Sequence, residues 1–332
     1  MIRCAIVGVT GLVGSTFLKV LEEKNLPIDE YTLFASIRSK GKEIEFMGKT
    51  YIVEELTEES FEKTHFDYAL FSAGSNTSEK FIPLAVKSGT TVIDNSSFFR
   101  MHDDCPLVVP EVNPEDIFSS SGIIANPNCS TIQLMLPLKA LNDKFGIERV
   151  VCSTYQAVSG AGQAGIVDLL DTLKGKKPKK FKYPISSNCL PQIDVFLENL
   201  YTKEEMKMIE ESRKILHLPN LKITATCARV PVKNCHSESV NITLKQEASL
   251  KEIYDCLSKF ENIVIVDDIL NEKYPINDLA SGNDKVYVGR LRKDFSAKNT
   301  INLWIVADNI RKGAASNAVQ ILEKLLEHKE NM

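Results

Sequence analysis

The sequence predicts an α/β chain, with a parallel-sheet domain followed by an α+β domain whose sheet is mostly antiparallel. Three observations predict it. Over residues 1–130, short β-branched runs alternate with amphipathic helical stretches, the mark of βαβ units. From residue 222 onward strands follow one another closely. In 239–244, Val240, Ile242 and Leu244 alternate with Ser239, Asn241 and Thr243, as in an antiparallel strand with one covered face. The third observation is length: 332 residues, against a usual domain of about 150, leave room for two domains.

The elements follow in order. Residues 2–7 are a brief apolar run ended by Gly8, a buried strand. Residues 15–24 read as a helix with Phe17, Leu18 and Leu21 on one face. Residues 31–35 are a second strand, 51–54 a shorter extended piece, and 68–72 another buried strand, bounded by Asp67 and Ala73-Gly74. A helix over 79–87 and a strand over 91–94 complete this part. The texture then changes. Residues 146–158 contain a longer strand, and 174–182 form a basic, Gly- and Pro-containing segment that reads as a solvated loop. Residues 202–215 are a charged amphipathic helix, with Thr202 as N-cap and Glu205 three residues on. Strands follow at 222–232, 239–244, 263–266, 286–292 and 300–307. A final helix over 314–326 carries Ala318, Ile321, Leu322, Leu325 and Leu326 on one stripe.

Composition narrows the function classes. Hydrophobic residues at 43% and charged residues at 25% describe an ordinary soluble globular chain rather than a disordered one. A net charge of −4 weighs against nucleic acid or an anionic membrane surface as the main partner. No apolar run approaches the roughly 18 residues a bilayer span needs, and the opening residues lack the charged leader and apolar core of a signal peptide. A cytoplasmic protein is expected. Its eight cysteines form no C-x-x-C pair and show no zinc-ligand spacing, so no metal is expected. Most should be reduced, buried, small hydrophobes.

The first strand runs into Gly8-Val9-Thr10-Gly11-Leu12-Val13-Gly14 and then a helix. A dinucleotide diphosphate must reach backbone N–H groups at a helix N-terminus, and side chains would block it. This marks a Rossmann-type domain; a tight turn without ligand is the competing reading. NAD binders usually place an acid about 20 residues further on. Here Ser36-Ile37-Arg38-Ser39-Lys40 follows the second strand, with no acid. Arg38 and the hydroxyls of Ser36 and Ser39 suit a 2′-phosphate, which favours NADP. For Arg38 taken alone, an ordinary solvated loop competes.

Ala125-Asn126-Pro127-Asn128-Cys129-Ser130-Thr131 marks a chain reversal into a helix. A thiol there meets the positive end of the helix dipole, which favours thiolate, and adjacent N–H groups can stabilise an oxyanion. On local sequence alone, nucleophile and structural cysteine weigh evenly for Cys129.

Six segments together carry a family resemblance: the glycine turn, Asp94-Asn95-Ser96-Ser97-Phe98-Phe99-Arg100, Asn126-Pro127-Asn128-Cys129-Ser130-Thr131, Thr154-Tyr155-Gln156-Ala157-Val158-Ser159-Gly160-Ala161-Gly162, Arg229-Val230-Pro231-Val232 and His236-Ser237-Glu238. In this order, and over nearly the whole chain, the sequence resembles the aspartate-semialdehyde dehydrogenase family. It departs at Val9, Leu12 and Phe98, where that family often has small residues. The resemblance implies NADPH-dependent reductive dephosphorylation of 4-phospho-L-aspartate to L-aspartate 4-semialdehyde. It places the chain in aspartate-family biosynthesis of lysine, methionine, threonine and diaminopimelate.

Residue by residue, the resemblance makes Cys129 the nucleophile that holds the acyl group as a thioester, Gln156 the residue that orients substrate and supports the oxyanion, and His236 the general acid–base, a task suited to imidazole near neutral pH. Arg229 corresponds to the carboxylate-binding arginine, Arg100 and Lys207 to phosphate contacts, Glu204 to the partner of the substrate amine, and Asn128 to a further substrate contact. Without the resemblance, Glu204 and Lys207 read as a surface ion pair three apart on a helix. The implied cofactor contacts are Gly8, Thr10, Gly11, Leu12, Val13, Gly14, Ser36, Arg38, Ser39, Ser72, Ala73, Gly74, Asn95, Ser159, Gly160 and Asn317. A contact at Asn317 implies that the last helix folds back onto the first domain. The expected division is 1–128 with 313–332 for the NADP-binding domain, and 129–312 for a catalytic and dimerisation domain that makes a homodimer or a dimer of dimers. The nearest rival, N-acetyl-γ-glutamyl-phosphate reductase, usually has glycine where this chain has Asn128, and Thr154-Tyr155-Gln156 also favours the aspartate enzyme. A non-catalytic NADP-binding paralogue is the other alternative; the joint presence of Cys129, Gln156, Arg229 and His236 argues against it.

Overall fold

A computed structural model describes residues 1–330 of the chain, so residues 331 and 332 of the expected terminal segment lie outside the described residues. Two compact units emerge: Met1–Pro127 together with the segment from Ala314, and Asn128–Gly313.

The first unit begins with β1 (Arg3–Val7), α1 (Leu12–Lys24) and β2 (Glu30–Ala35). It continues through β3 (Glu43–Phe46), β4 (Lys49–Ile52), β5 (Glu54–Glu55), α2 (Ser60–Lys63), β6 (Tyr68–Phe71), α3 (Ser75–Lys87), β7 (Thr91–Asp94) and β8 (Ile123–Ala125). Its main sheet has the order β5-β2-β1-β6-β7-β8, and each neighbouring pair is parallel. Continuous burial of β6 and of Cys4 through Val7 reflects a sheet covered on both faces. Helix α1 starts at Leu12, inside the glycine turn and earlier than expected, because Gly11 serves as its N-cap. The extended piece expected at 51–54 divides in two. Its first half belongs to the β3–β4 hairpin and its second, β5, pairs with β2. The hairpin turns on Met47 and Gly48, both at positive φ (51° and 69°), as a two-residue turn of matching twist requires. Methionine at such a position hid the turn in the sequence.

The second unit contains α4 (Cys129–Phe145), β9 (Ile147–Gln156), α5 (Gly162–Leu173), α6 (Lys203–Ile215), β10 (Lys222–Arg229), β11 (His236–Leu244), α7 (Leu250–Ser258), β12 (Ile263–Ile265), α8 (Asn277–Ala280), β13 (Val286–Lys293) and β14 (Thr300–Ala307). The sheet order is β10-β9-β11-β14-β13-β12. Pairing is antiparallel through the middle, from β9 to β13, and parallel at the two outer pairs. Along β11, Val240, Ile242 and Leu244 are buried while Ser239, Asn241 and Thr243 are partly exposed, as the alternation predicts. Helix α4 is buried along most of its length and packs on β9, β11 and β14. The Thr202–Glu205 capping box opens α6 as expected. Helices α5 and α7 were not anticipated: glycines open the first, and the second has only nine residues. The basic segment 174–182 is a loop held by Asp168, whose carboxylate accepts from the N–H groups of Lys179 at 2.6 Å and Phe181 at 3.0 Å.

A single π-helical turn, Arg311–Ala315, precedes α9 (Ser316–Glu330), so regular α-helix begins two residues later than expected. Ala318, Ile321, Leu322 and Leu326 of α9 join Phe17, Leu18 and Leu21 of α1 in the core of the first unit. Among the described residues no helix is long and apolar enough to cross a membrane, and no cysteine is in a disulfide. Cys4, Cys105, Cys152, Cys227 and Cys235 are buried as expected, whereas Cys189 is exposed and Cys256 half-buried.

Candidate active site

In the second unit the chain enters α4 through Asn128, whose backbone is extended and whose Oδ1 accepts from the N–H groups of Ser130 (3.0 Å) and Thr131 (3.4 Å). This cap fixes Cys129 as the first helical residue, half-buried, at the positive end of the helix dipole. Asn128 is itself gripped from α6. Its backbone N–H donates to Glu211 Oε2 at 2.7 Å and its Nδ2 to Glu204 Oε1 at 2.9 Å. Glu204 and Glu211 are two helical turns apart and therefore share a face.

Glu204 is the hub of this cluster. Its Oε1 also accepts from Gln156 Nε2 at 3.1 Å, and its Oε2 accepts from Lys207 Nζ at 3.1 Å. Lys207 makes a second ion pair, with Asp194 at 3.2 Å. Burial pushes the Glu204 carboxyl up, but the Lys207 charge and the hydrogen bonds from Asn128, Lys207 and Gln156 outweigh it and bring the pKa down to about 2. The pair that spacing alone puts at the surface thus consists of a buried, ionised carboxylate and a half-buried lysine.

Three neighbouring strands deliver the remaining groups to one end of the sheet. Parallel register sets Arg229 of β10 opposite Gln156 of β9, and β11 starts at His236 on the other side of β9. Arg229 Nη1 donates to the Ala157 carbonyl at 2.7 Å, and the Ala157 N–H donates to His236 Nδ1 at 3.0 Å. That second bond assigns the proton of the neutral imidazole to Nε2. His236 Nε2 is buried and has no hydrogen-bond partner among the described residues. Burial, then the Arg229 charge, hold the His236 pKa down at about 3. Burial lowers that of Arg229, while Glu204 and Cys129 oppose the shift, so the thiol lies within electrostatic reach of the guanidinium. Two glycines make this approach possible. A Cβ on Gly160 would lie 2.7 Å from Arg229 Nη1 and 3.1 Å from His236 Nε2, and one on Gly313 would lie 3.0 Å from the Cys129 Cβ.

The glycine turn belongs to the first unit. Gly8 has φ of +86°, and a Cβ there would lie 2.3 Å from the Ser72 carbonyl oxygen; a Cβ on Gly14 would lie 2.1 Å from that of Gly8. The turn therefore presses directly on the end of β6 and tolerates no side chain at either position. Gly11 caps α1 without a side-chain hydrogen bond, so the first N–H groups of the helix, at Leu12, Val13 and Gly14, carry no side-chain cap. The hydroxyls of Thr10 and Ser39 are 3.3 Å apart, which joins the turn to the loop after β2, where Ser36 and Arg38 are exposed. Gly74, at φ +84°, precedes α3, next to Ser72 and Ala73. These residues fit a dinucleotide: a cradle a Cβ would fill, a helix N-terminus, and an arginine with hydroxyls beyond the second strand.

The other expected site residues sit as follows. Arg100 is buried in the first unit and donates from Nη2 to the Asn95 carbonyl at 3.0 Å. Asn95 Oδ1 accepts from Asn126 Nδ2 at 2.7 Å, and Asn317 Nδ2 donates to Asn126 Oδ1 at 2.7 Å and to the Val108 carbonyl at 2.9 Å. The amide nitrogen of Asn317 is thus used inside its own unit, where it ties α9 to the loop after β8. Ser159 is buried in the second unit, its hydroxyl bonded to Asn234 and Asn309. Sequence reasoning missed Asp194 and Glu211. Glu211 had a signal, its spacing of seven from Glu204; Asp194 lies in a stretch without periodicity.

Comparison with known proteins gives a consistent answer. A family model described as "Semialdehyde dehydrogenase, NAD binding domain" matches residues 3–120, and one described as "Semialdehyde dehydrogenase, dimerisation domain" matches 138–312. The chain is 54% identical to the aspartate-semialdehyde dehydrogenase of Aquifex aeolicus and 49% identical to that of Campylobacter jejuni, in each case over 98% of both chains. A crystal structure of aspartate semialdehyde dehydrogenase II from Vibrio cholerae, complexed with ASA, superposes with a TM-score of 0.94 at 46% identity, covering 98% of both chains. That of the Candida albicans enzyme with NADP does so with a TM-score of 0.76 at 25% identity over the same share of each. The chain belongs to the aspartate-semialdehyde dehydrogenase family.

Proposed function

We propose that this protein converts 4-phospho-L-aspartate to L-aspartate 4-semialdehyde and phosphate with NADPH, through a thioester on Cys129. One observation carries the reading: a capped helix start holds Cys129 within reach of Arg229, and the same Glu204 carboxylate grips both that cap and Gln156. The Cys129 thiolate attacks the C4 carbonyl of the acyl phosphate, and the carbon–oxygen bond to phosphate breaks with its electron pair leaving on phosphate. Bound NADPH supplies the hydride that takes the thioester to the aldehyde level. Gln156 faces the negative charge that develops on the carbonyl oxygen. His236 acts on the same charge: neutral, with its proton on Nε2, it donates a hydrogen bond to the oxygen without losing that proton. Collapse of the thiohemiacetal returns the electron pair to the Cys129 sulfur and releases the semialdehyde.

Arg229 matches the substrate α-carboxylate by its planar donor fork. Glu204, ionised well below neutral pH, is the acceptor for the α-amine, and Asn128 beside it completes that contact. Lys207 and Arg100 serve the phosphate. The glycine turn and Ser72, Ala73, Gly74 and Asn95 hold the dinucleotide, Ser36, Arg38 and Ser39 its 2′-phosphate, and Ser159 and Gly160 the turn nearest the nicotinamide. Asn317 supports that site by holding α9 in place. Residues 1–128 with 313–332 make the NADP-binding domain and 129–312 the catalytic one. The protein works in the cytoplasm, where Cys129 stays reduced, as a homodimer or a dimer of such dimers. The exposed apolar side chains of Tyr155, Val167, Leu170 and Leu173 on the second unit support that pairing.

The test is phosphate-dependent NADP reduction with aspartate semialdehyde and N-acetylglutamate semialdehyde in parallel. Aspartate semialdehyde is expected to turn over faster; the reverse order would overturn the assignment.

A further inference from the structure

Cys235, the residue before His236, has φ of +69°, a left-handed backbone uncommon for any residue other than glycine. Such a conformation persists where the surroundings impose it. Two asparagines grip this residue from either side. Its N–H donates to Asn309 Oδ1 at 3.0 Å, and its carbonyl accepts from Asn277 Nδ2 at 2.8 Å. Asn277 Nδ2 also reaches the Asn234 carbonyl at 3.2 Å. The Cys235 side chain is buried and packs with Ala280, Tyr287 and Val306.

Asn309 is itself buried, and the other end of its amide is used as well: Nδ2 donates to Ser159 Oγ at 3.1 Å. The Cys235 N–H needs an acceptor, which fixes the amide in this orientation. The Ser159 hydroxyl can turn its own proton to Asn234 Oδ1 or Asn309 Oδ1, each at 3.2 Å. Asn234 Nδ2 donates to Asp308 Oδ2 at 2.8 Å, and the buried Asp308 also accepts from the N–H groups of Gly282, Ile310 and Arg311 at 2.8, 2.9 and 3.1 Å. Ser159 stands two residues beyond Ala157, whose N–H donates to His236 Nδ1, and Cys235 stands one residue before His236. One side chain therefore ties together the two segments that meet at that bond. Backbone bonds already run the segments side by side, from the Val158 N–H to the Val232 carbonyl at 2.8 Å and from the Ser159 N–H to that of Lys233 at 3.2 Å. Asn309 carries the connection on to Cys235. We propose that Asn309 is a positioning residue for His236: it holds Cys235 in its left-handed backbone and, by gripping Ser159 as well, sets the imidazole against the Ala157 N–H. It acts through Cys235 and Ser159, and its role rests on the assignment of His236 in the proposed function.

Nitrogen NMR of the intact protein, labelled at its five histidines, reads the contact without any activity. Spectra at about pH 8, where ordinary imidazoles are neutral, are compared with those of His236→Asn to identify the His236 signals. Asn309→Ala is expected to shift the His236 Nδ1 signal toward that of an unbonded ring nitrogen and to leave the other histidines in place. An unmoved His236 signal would overturn the proposal and leave the thioester mechanism standing. Should Asn309→Ala fail to fold, as a change in every histidine would show, Asn277→Ala puts the question from the carbonyl side with the same two outcomes. Kinetics test the positioning. Asn309→Ala is expected to lower kcat about tenfold at unchanged KM for aspartate semialdehyde. Glycine adopts positive φ without a clamp, so in a Cys235→Gly background the same change is expected to cost no more than about twofold. An equal loss in both backgrounds, or native kcat in Asn309→Ala, would overturn the proposal. Inactivity of the native protein with aspartate semialdehyde would count against the functional reading alone, since the NMR result does not depend on turnover.

Discussion

Asn128 donates from Nδ2 to Glu204 Oε1 at 2.9 Å, tying the cap of the helix that begins at Cys129 to the first turn of α6. The same oxygen accepts from Gln156 at 3.1 Å. One buried carboxylate therefore sets both the direction from which the nucleophile leaves its helix and the position of the amide beside it.

Removing that charge should show in stability against pH. A carboxyl held at about 2 in the folded chain, against an ordinary value of 4.5, stabilises the fold at all pH values above the ordinary one. That contribution, about 3 kcal/mol for a shift of this size, is lost as pH falls toward the folded value. Glu204→Gln is expected to be less stable than the native chain near neutral pH, with the difference shrinking on acidification. Urea midpoints measured between about pH 7 and about pH 3 check this; a constant difference would place the origin elsewhere.

Cys129→Ala should abolish turnover while leaving NADPH binding intact, because the thiol belongs to the second unit and the glycine turn to the first. Loss of at least about 10⁴-fold in kcat is expected, since alanine has no group that can form a thioester. Fluorescence titration with NADPH and a steady-state assay give the two numbers, and surviving activity would rule out the covalent route.

Arg38→Asp should weaken NADPH more than NADH. The exposed arginine and the neighbouring Ser36 and Ser39 hydroxyls stand where an acid would meet a ribose 2′-hydroxyl. A charge reversal at a phosphate contact is expected to cost NADPH at least about tenfold in Kd, with NADH little changed. Equal losses would remove the 2′-phosphate argument.

Gly160→Ala places a methyl group 2.7 Å from Arg229 Nη1 and 3.1 Å from His236 Nε2. Both side chains must retreat, and a displacement on the order of 1 Å at reacting groups is expected to lower kcat/KM about a hundredfold. Circular dichroism should stay native, because the methyl group meets side-chain ends rather than backbone. A variant of native activity would show that the approach of Arg229 and His236 to this glycine is irrelevant to catalysis.

Local patterns carried much of the molecule. The parallel sheet of the first unit, the capping box at Thr202, the alternation in β11 and the stripe of α9 were legible because each depends on residues two to four apart. The glycine turn was legible for a similar reason, since Gly8 and Gly14 have no room for a side chain against Ser72 and each other. Met47 at positive φ hid the β3–β4 turn, and the glycines of α5 masked a helix that tertiary packing supports.

By itself the sequence determined the order of elements, the dinucleotide turn, the helix start at Cys129 and, through motif resemblance, the set of residues grouped with it. Only the tertiary structure decided that Glu204 is a buried hub rather than half of a surface ion pair, and that His236 keeps its proton on Nε2. Those properties depend on contacts between residues tens of positions apart, Glu204 with Asn128 and Gln156, His236 with Ala157. Spacing along a chain does not encode them: desolvation and hydrogen-bond partners arise when strands and helices pack, and those two quantities fix the charge state of a buried group.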